Sequence, residues 1–220
     1  MAQNLHEQRD KSGACALVCI VTDSLCWVAN CGDSRAIMSA ASGKIVQMST
    51  DHKPSNENEF RRIIAAGGDV YQNPTVSKID DQGRRIMAPM RVIPGRLAVS
   101  RSFGDCAAKL ERWGGNPNCL IAEPEVNMFP LSQETDMVLM GSDGIFDALS
   151  NKEIFQLIHQ KAQDLTLTMP ADTVLGGEKH VQACCGTGVN GIIEAAMESE
   201  STDNLSVILL VFKGAIRQFE

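Results

Sequence analysis

Three aspartates lie where strand-like runs give way to turns: Asp33 in NCGDSR, Asp143 in GSDGIFD and Asp203 in STDNLSV. Strand ends can aim short carboxylates into a shared cleft, and hard divalent cations take oxygen ligands. Magnesium or manganese held in this way keeps water in its remaining positions. That water is a competent nucleophile near neutral pH, and paired ions clamp an in-line displacement at phosphorus. The spacing also has a plainer origin, because Asp before Gly or Asn is what a tight turn favours. Spacing alone leaves both readings open.

Rival chemistries have weaker support. Gly186, Gly188 and Gly191 reproduce a dinucleotide-binding spacing, which would seat a pyrophosphate at a helix N-terminus. The pattern belongs after the first strand of a βαβ unit, however, and only one convincing strand follows it here, so a flexible glycine-rich connection is expected. Ser34 in GDSRA resembles a nucleophile elbow, and Asp143 or Asp147 followed by His159 or His180 keeps a Ser…Asp…His order. Too little chain precedes Ser34 for the usual oxyanion-hole strand, and a hairpin suits the region better. His52 in STDHKP reads as structural.

The elements that must position these residues come from periodicity. Residues 14–21 and 25–30 are β-branched and apolar around Thr22-Asp23-Ser24, which predicts a hairpin, and residues 36–39 and 45–49 predict a second. Tight turns between short strands mean antiparallel pairing. Asn56 with Glu59 resembles a capping box that opens a helix, with Phe60, Ile63 and Ile64 on one face and Gly67-Gly68 at its end. Residues 69–95 carry three prolines and no sustained period, and so read as a long loop. Residues 135–141 form a buried strand, Ser150 with Glu153 caps a second helix, residues 189–197 form a third, and residues 205–212 form a core strand.

Composition narrows the classes. The 220 residues are 44% hydrophobic and 21% charged, as in an ordinary globular domain, which excludes disorder as the main state. Twenty Lys+Arg against 27 Asp+Glu give −7 with no basic cluster, so nucleic acid is a poor partner. No apolar run approaches a bilayer span and the N-terminus lacks a signal-peptide core, so a cytoplasmic or nuclear location is expected. The eight cysteines form no CxxC pair and read as buried free thiols in a reducing compartment. No linker marks a boundary, so residues 1–220 read as one α+β domain.

Taken in order, the chain reads SGACA, VANCGDSRA, STDHKPSN, an arginine-bearing helix ending AAGG, GRLAVSRSFGD, AEPEV, LMGSDGIFDALSN and STDNLSVILLVF. This series resembles the metal-dependent type 2C (PPM) serine/threonine protein phosphatase family, from about Ser12 to Phe212. The resemblance implies an antiparallel β-sandwich flanked by helices, with two Mg or Mn ions at one edge. Metal-activated water there attacks phosphoserine or phosphothreonine in a phosphoprotein substrate. By position, Asp143 and Asp203 correspond to metal ligands, and Asp33 corresponds to a ligand of a weaker third ion. Residues 69–95 fall where the family has its flap, and Arg101 just after it is a candidate for binding substrate.

The family's opening segment, with a Glu-Asp pair, a phosphate-binding Arg and an Asp-Gly-His-Gly turn that bridges the metals, has no counterpart in these 220 residues. The fold is therefore expected to be N-terminally incomplete, with sheet edges and apolar faces left open to pairing with another chain. The alternative function that follows is a non-catalytic fragment or phosphatase-like binding module.

Overall fold

The structure is a computed structural model that describes residues 11–74, 76–79, 85–168 and 178–212. In chain order the strands are β1 (Gly13–Ala14), β2 (Ala16–Val21), β3 (Leu25–Cys31), β4 (Arg35–Ala40) and β5 (Ile45–Gln47). Helix α1 (Glu57–Ala65) follows, then β6 (Asp69–Gln72), β7 (Val76–Ile79), β8 (Arg85–Met87), β9 (Met90–Ile93) and β10 (Phe103–Gly104). The remainder is α2 (Cys106–Lys109), β11 (Glu125–Pro130), β12 (Thr135–Gly141), α3 (Asp143–Phe146), α4 (Asn151–Thr168), α5 (Glu178–Glu198) and β13 (Val207–Val211). Contacts divide the chain into two compact units, one of residues 1–16, 30–33 and 51–125, the other of residues 17–29, 34–50 and 126–220.

The second unit is layered. One sheet has the order β13-β12-β4-β5, antiparallel throughout, and another has the order β11-β3-β2. Both expected hairpins form: Thr22 N–H donates to the Leu25 carbonyl at the first turn, and β4 pairs with β5 across the second. Alternation turns Cys26 and Val28 of one sheet toward Ala36 and Val138 of the other, with Leu17, Met38 and Phe129 around them. This is the sandwich core. On the other side of the four-stranded sheet, Ile37, Met137 and Leu139 pack under Ile154 and Ile158 of α4 and Cys184 and Ile192 of α5. The fold is α+β, with antiparallel sheets and covering helices.

The α4 cap is the reciprocal one its sequence predicts. Ser150 N–H donates to Glu153 Oε2 at 2.8 Å, and Glu153 N–H to Ser150 Oγ at 3.3 Å. Helix α5 starts well before residue 189 and includes Gly186, Gly188 and Gly191, so the expected flexible connection is a helix interior. Packing overrides glycine's poor propensity here: a Cβ on Gly188 would lie 3.3 Å from Ile158 Cα, so its absence lets α5 press against α4. Strand β13 lies at a sheet edge and is half-buried along most of its length, with Val207, Leu209 and Val211 packed against one core and Leu210 against the other, as expected of a core strand.

The first unit gathers α1, α2 and the β1–β10, β6–β9 and β7–β8 pairs around a small core of Ile63, Val92 and Cys119. The segment 69–95 is therefore not a loop. Asp69–Gln72 pairs antiparallel with Met90–Ile93, and β7 pairs with β8 between them. Residues 75 and 80–84 of that segment lie outside the described residues. Helix α1 differs in its faces: Ile63 is buried, but Phe60 and Ile64 are exposed and Glu59 takes a core position instead.

Candidate metal and phosphate site

The Asp143 and Asp203 segments are stitched together at the end of the β12–β13 ladder, which closes with Gly141 opposite Val207. Beyond it Ser142 N–H donates to the Ser206 carbonyl at 3.0 Å, and Ser206 N–H donates to Ser142 Oγ at 3.1 Å. Ser142 Oγ donates in turn to the Asn204 carbonyl at 3.0 Å, and Ser201 Oγ to the Gly144 carbonyl at 3.1 Å. Gly144 is where the two strands of backbone meet. A Cβ there would lie 3.0 Å from the Asn204 carbonyl oxygen and 3.1 Å from Asp203 Cβ. The Asp143 and Asp203 backbones are thus neighbours, and each side chain is oriented locally. Asp143 Oδ1 accepts the Gly144 N–H at 3.0 Å, and Asp203 Oδ1 accepts the Asn204 N–H at 2.7 Å.

Arg35, which sequence reasoning passed over, braces this unit. Its guanidinium donates to Asn151 Oδ1 at 2.9 Å and stacks 4.7 Å from the centre of the Phe146 ring. A cavity of about 280 Å³ is lined by Ser34, Ser142, Ser206 and apolar neighbours, and none of its lining residues is a histidine. His180 turns instead to Thr166 and Cys184. Ser34 lies in the connection from β3 to β4, which belong to different sheets, so neither the expected hairpin nor a strand–turn–helix nucleophile elbow forms there.

Asp33 belongs to the other unit and is 7% exposed. The turn before it is fixed from three directions. Gly32 N–H donates to His52 Nδ1 at 3.1 Å, His52 N–H donates back to the Gly32 carbonyl at 2.9 Å, and Asn30 Nδ2 reaches the same carbonyl at 3.0 Å. Gly32 has φ of 122°, and a Cβ on it would collide with the Cys15 side chain, so glycine is required. Cys15 Sγ donates to Asp33 Oδ1 at 3.4 Å.

His52 leads into a buried polar network. Its carbonyl accepts from Ser100 N–H and Oγ, and Ser100 Oγ also donates to Glu59 Oε2 at 2.6 Å. Glu59 is the hub, receiving Arg62 at 2.8 Å and both Nε and Nη2 of Arg101 at 3.1 and 2.6 Å. Burial alone would raise the Glu59 pKa, but hydrogen bonds from Arg101, Arg62 and Ser100 outweigh it and hold it at about 2. Burial and the Arg101 charge lower the His52 pKa against the pull of Glu59 and Glu125, favouring the neutral ring that accepts from Gly32. The third nitrogen of Arg101, Nη1, donates to the Glu123 carbonyl at 3.0 Å. The residue expected to meet substrate thus has its guanidinium tied to Glu59 and Glu123, and Glu59 itself serves this network instead of a capping box.

Oxygen donors suit a hard divalent ion. Magnesium is commonly held by one or two carboxylates, with water completing its shell, and the Asp143 and Asp203 side chains offer donors of that type. Among the described residues no group of three or more His, Cys, Asp or Glu side chains is close enough to hold a metal.

Comparison with known proteins identifies the fold and its family. Residues 1–204 match the family described as Protein phosphatase 2C. Protein phosphatase 2C 16 of Arabidopsis thaliana is 32% identical over 208 residues, covering 94% of this chain and 36% of the relative. Protein phosphatase 1B of Mus musculus is 29% identical, covering 96% and 45%. Among solved structures, a phosphatase from a pathogenic strain of Toxoplasma gondii superposes with a TM-score of 0.62 at 26% identity, over 86% of this chain and 48% of its own. A C. elegans sex determining protein shares the fold, with a TM-score of 0.69 at 24% identity over 95% and 42% of the two chains. The chain spans less than half the length of these relatives. With the ordered motifs, the sandwich and this match together, the chain belongs to the protein phosphatase 2C family.

Proposed function

We propose that the chain serves metal-dependent hydrolysis of phosphoserine and phosphothreonine in proteins, with Asp143 and Asp203 as ligands of a Mg or Mn ion. The observation that carries this reading is the seryl stitching that makes two carboxylate-bearing turns neighbours at one strand end. A bound divalent ion supplies acidified water suited to attack at phosphorus. The chain's own part is to fix the donors. The Ser142–Ser206 and Ser201–Gly144 bonds hold the two backbones, and the Gly144 and Asn204 amides orient the carboxylates. Asp33 is proposed, on family correspondence alone, as an oxygen donor to a weaker ion. Arg101 is proposed to serve the substrate side by keeping its segment in place through Glu59.

The test is initial-rate hydrolysis of a phosphothreonine peptide at rising Mn²⁺, with Asp143→Ala and Asp203→Ala as controls. Turnover that saturates with Mn²⁺ and disappears in both variants is expected; turnover retained in either rejects its assignment. A folded chain without turnover rejects catalysis by these residues. It would favour the alternative of a phosphoprotein-binding module.

A further inference from the structure

Cys19 of β2 and Cys26 of β3 stand on either side of the Thr22–Leu25 turn, and their side chains enter the same sandwich core. Cys26 is fully buried in the cluster with Val28, Ala36 and Val138, and Cys19 packs against that cluster from the neighbouring strand. Both are free thiols, and their Sγ atoms lie 3.2 Å apart. The turn, closed by the Thr22 N–H bond to the Leu25 carbonyl, fixes which residues of the two strands meet.

A thiol–thiol hydrogen bond is the plainest account of the contact, and either sulfur can be its donor. Such a bond is weak, because a thiol is a poor donor and a poor acceptor. A shared zinc ion does not fit the distance: two thiolates on one tetrahedral zinc, each at about 2.3 Å, stand about 3.8 Å apart. A covalent bond between the sulfurs is closer at hand. Disulfide sulfurs are about 2.05 Å apart, so this pair has only about 1.2 Å left to close.

We propose that Cys19 and Cys26 form a redox site, a dithiol that a hydroperoxide converts reversibly into an intrachain disulfide. Burial, together with the neighbouring Cys19, pushes the Cys26 pKa up to about 12, so Cys26 stays a thiol at neutral pH and Cys19 supplies the attacking thiolate. The Cys19 sulfur attacks one peroxide oxygen and the O–O bond breaks. The departing hydroxide takes up the proton that Cys19 gave to water on ionising, and Cys19 is left as a sulfenic acid. The Cys26 sulfur then attacks the Cys19 sulfur, the S–O bond breaks, and the leaving hydroxide takes the Cys26 proton. For hydrogen peroxide, two thiols and one peroxide become one disulfide and two waters: the sulfur pair loses two electrons and the peroxide gains them. An external thiol reverses the step by exchange. Neither metal binding nor phosphoester hydrolysis enters it.

The test treats the fully reduced, folded 220-residue chain with hydrogen peroxide, then unfolds it in excess iodoacetamide for mass spectrometry. Of the eight cysteines, the linked two should escape alkylation, and the chain should be lighter by two hydrogens. Cleavage before Asp23 separates Cys19 from Cys26, so the joined peptides identify the pair. Dithiothreitol before alkylation should restore all eight reactive thiols. Cys19→Ala and Cys26→Ala should each abolish the link, while Cys106→Ala, at an exposed thiol in α2, should keep it. Eight alkylated cysteines after peroxide, oxidation that ends at a Cys19 sulfinic acid, or a link joining other cysteines would each overturn the proposal. If an Ala variant does not fold, the wild-type peptide map decides alone: a map without the Cys19–Cys26 link overturns it.

Discussion

Asp33 and the Asp143–Asp203 pair belong to different units and are held by different kinds of contact. At Asp143 and Asp203 the donors are serine hydroxyls and backbone amides, and what matters most is that nothing larger than a hydrogen stands on Gly144. At Asp33 the turn is tied through His52 and Ser100 to a buried carboxylate shared by two arginines. One arrangement depends on close backbone approach; the other depends on formal charges taken out of water. A buried charge network is strong while complete and weak once a member is removed. The first unit should therefore be the one that responds to polar substitution and to acid.

The largest effect should come from Glu59→Ala. The Glu59 side chain is 4% exposed, and its removal leaves Arg101 and Arg62, at 17% and 24%, without their carboxylate. Breaking a buried pair in this way costs about 3–5 kcal/mol. Urea unfolding followed by circular dichroism measures it, and a loss below about 1 kcal/mol would mean that the network does not hold the unit.

Acid should act on the same group without mutation. Glu59 has a folded pKa of about 2 against 4.5 in its ordinary state, so the unfolded chain takes up its proton first as pH falls. Its stabilisation is present above pH 4.5 and is lost on the way down to about 2, a loss of about 3 kcal/mol. His52 acts earlier with the same sign. Its folded pKa lies below 6.5, so the unfolded state protonates first and stability declines once the pH drops under that value. Melting temperatures across this range should show a His52 component that His52→Gln removes and a Glu59 component that Glu59→Gln removes. If neither variant changes the acid profile, the charge network is not the source of acid sensitivity.

These residues also mark where the sequence was legible. The hairpins, the strand at Thr135–Gly141 and the Ser150–Glu153 cap are local patterns, and all three formed. Glu59 carries the same cap spacing relative to Asn56, yet its partner Arg101 is 42 residues away, and no local rule distinguishes the two cases. Residues 69–95 looked like a loop because their paired strands are three or four residues long, too short to establish a period. The glycines of α5 suggested a connection, yet the value of Gly188 lies in what it lets approach, namely Ile158. Aspartates at turns were visible as candidates. The serines and Gly144 that make two of them neighbours were not, since a hydroxyl placed by tertiary structure leaves no spacing signal.

A substitution that adds volume should sharpen the contrast from the other side. Gly144→Ala places a methyl group 3.0 Å from both the Asn204 carbonyl oxygen and Leu205 Cδ2. Overpacking of this kind costs about 1–3 kcal/mol, less than loss of Glu59. A Gly144→Ala variant as stable as wild type would show that the Asp143 and Asp203 segments are more loosely joined than their hydrogen bonds indicate.

The smallest expected change in stability is at Asp203, and it is the most informative about function. Asp203 is exposed and its Oδ1 accepts the neighbouring Asn204 amide, a bond that asparagine can also make. Asp203→Asn should therefore stay within about 0.5 kcal/mol of wild type. Removing the charge should nonetheless lower Mn²⁺ affinity, measured by calorimetric titration, by at least about tenfold, the loss expected even for an outer-shell partner. Stability and metal binding would then separate at this position, whereas at Glu59 the charge holds the fold itself. Unchanged Mn²⁺ affinity in a folded Asp203→Asn chain would return Asp203 to the turn chemistry that its sequence equally allows.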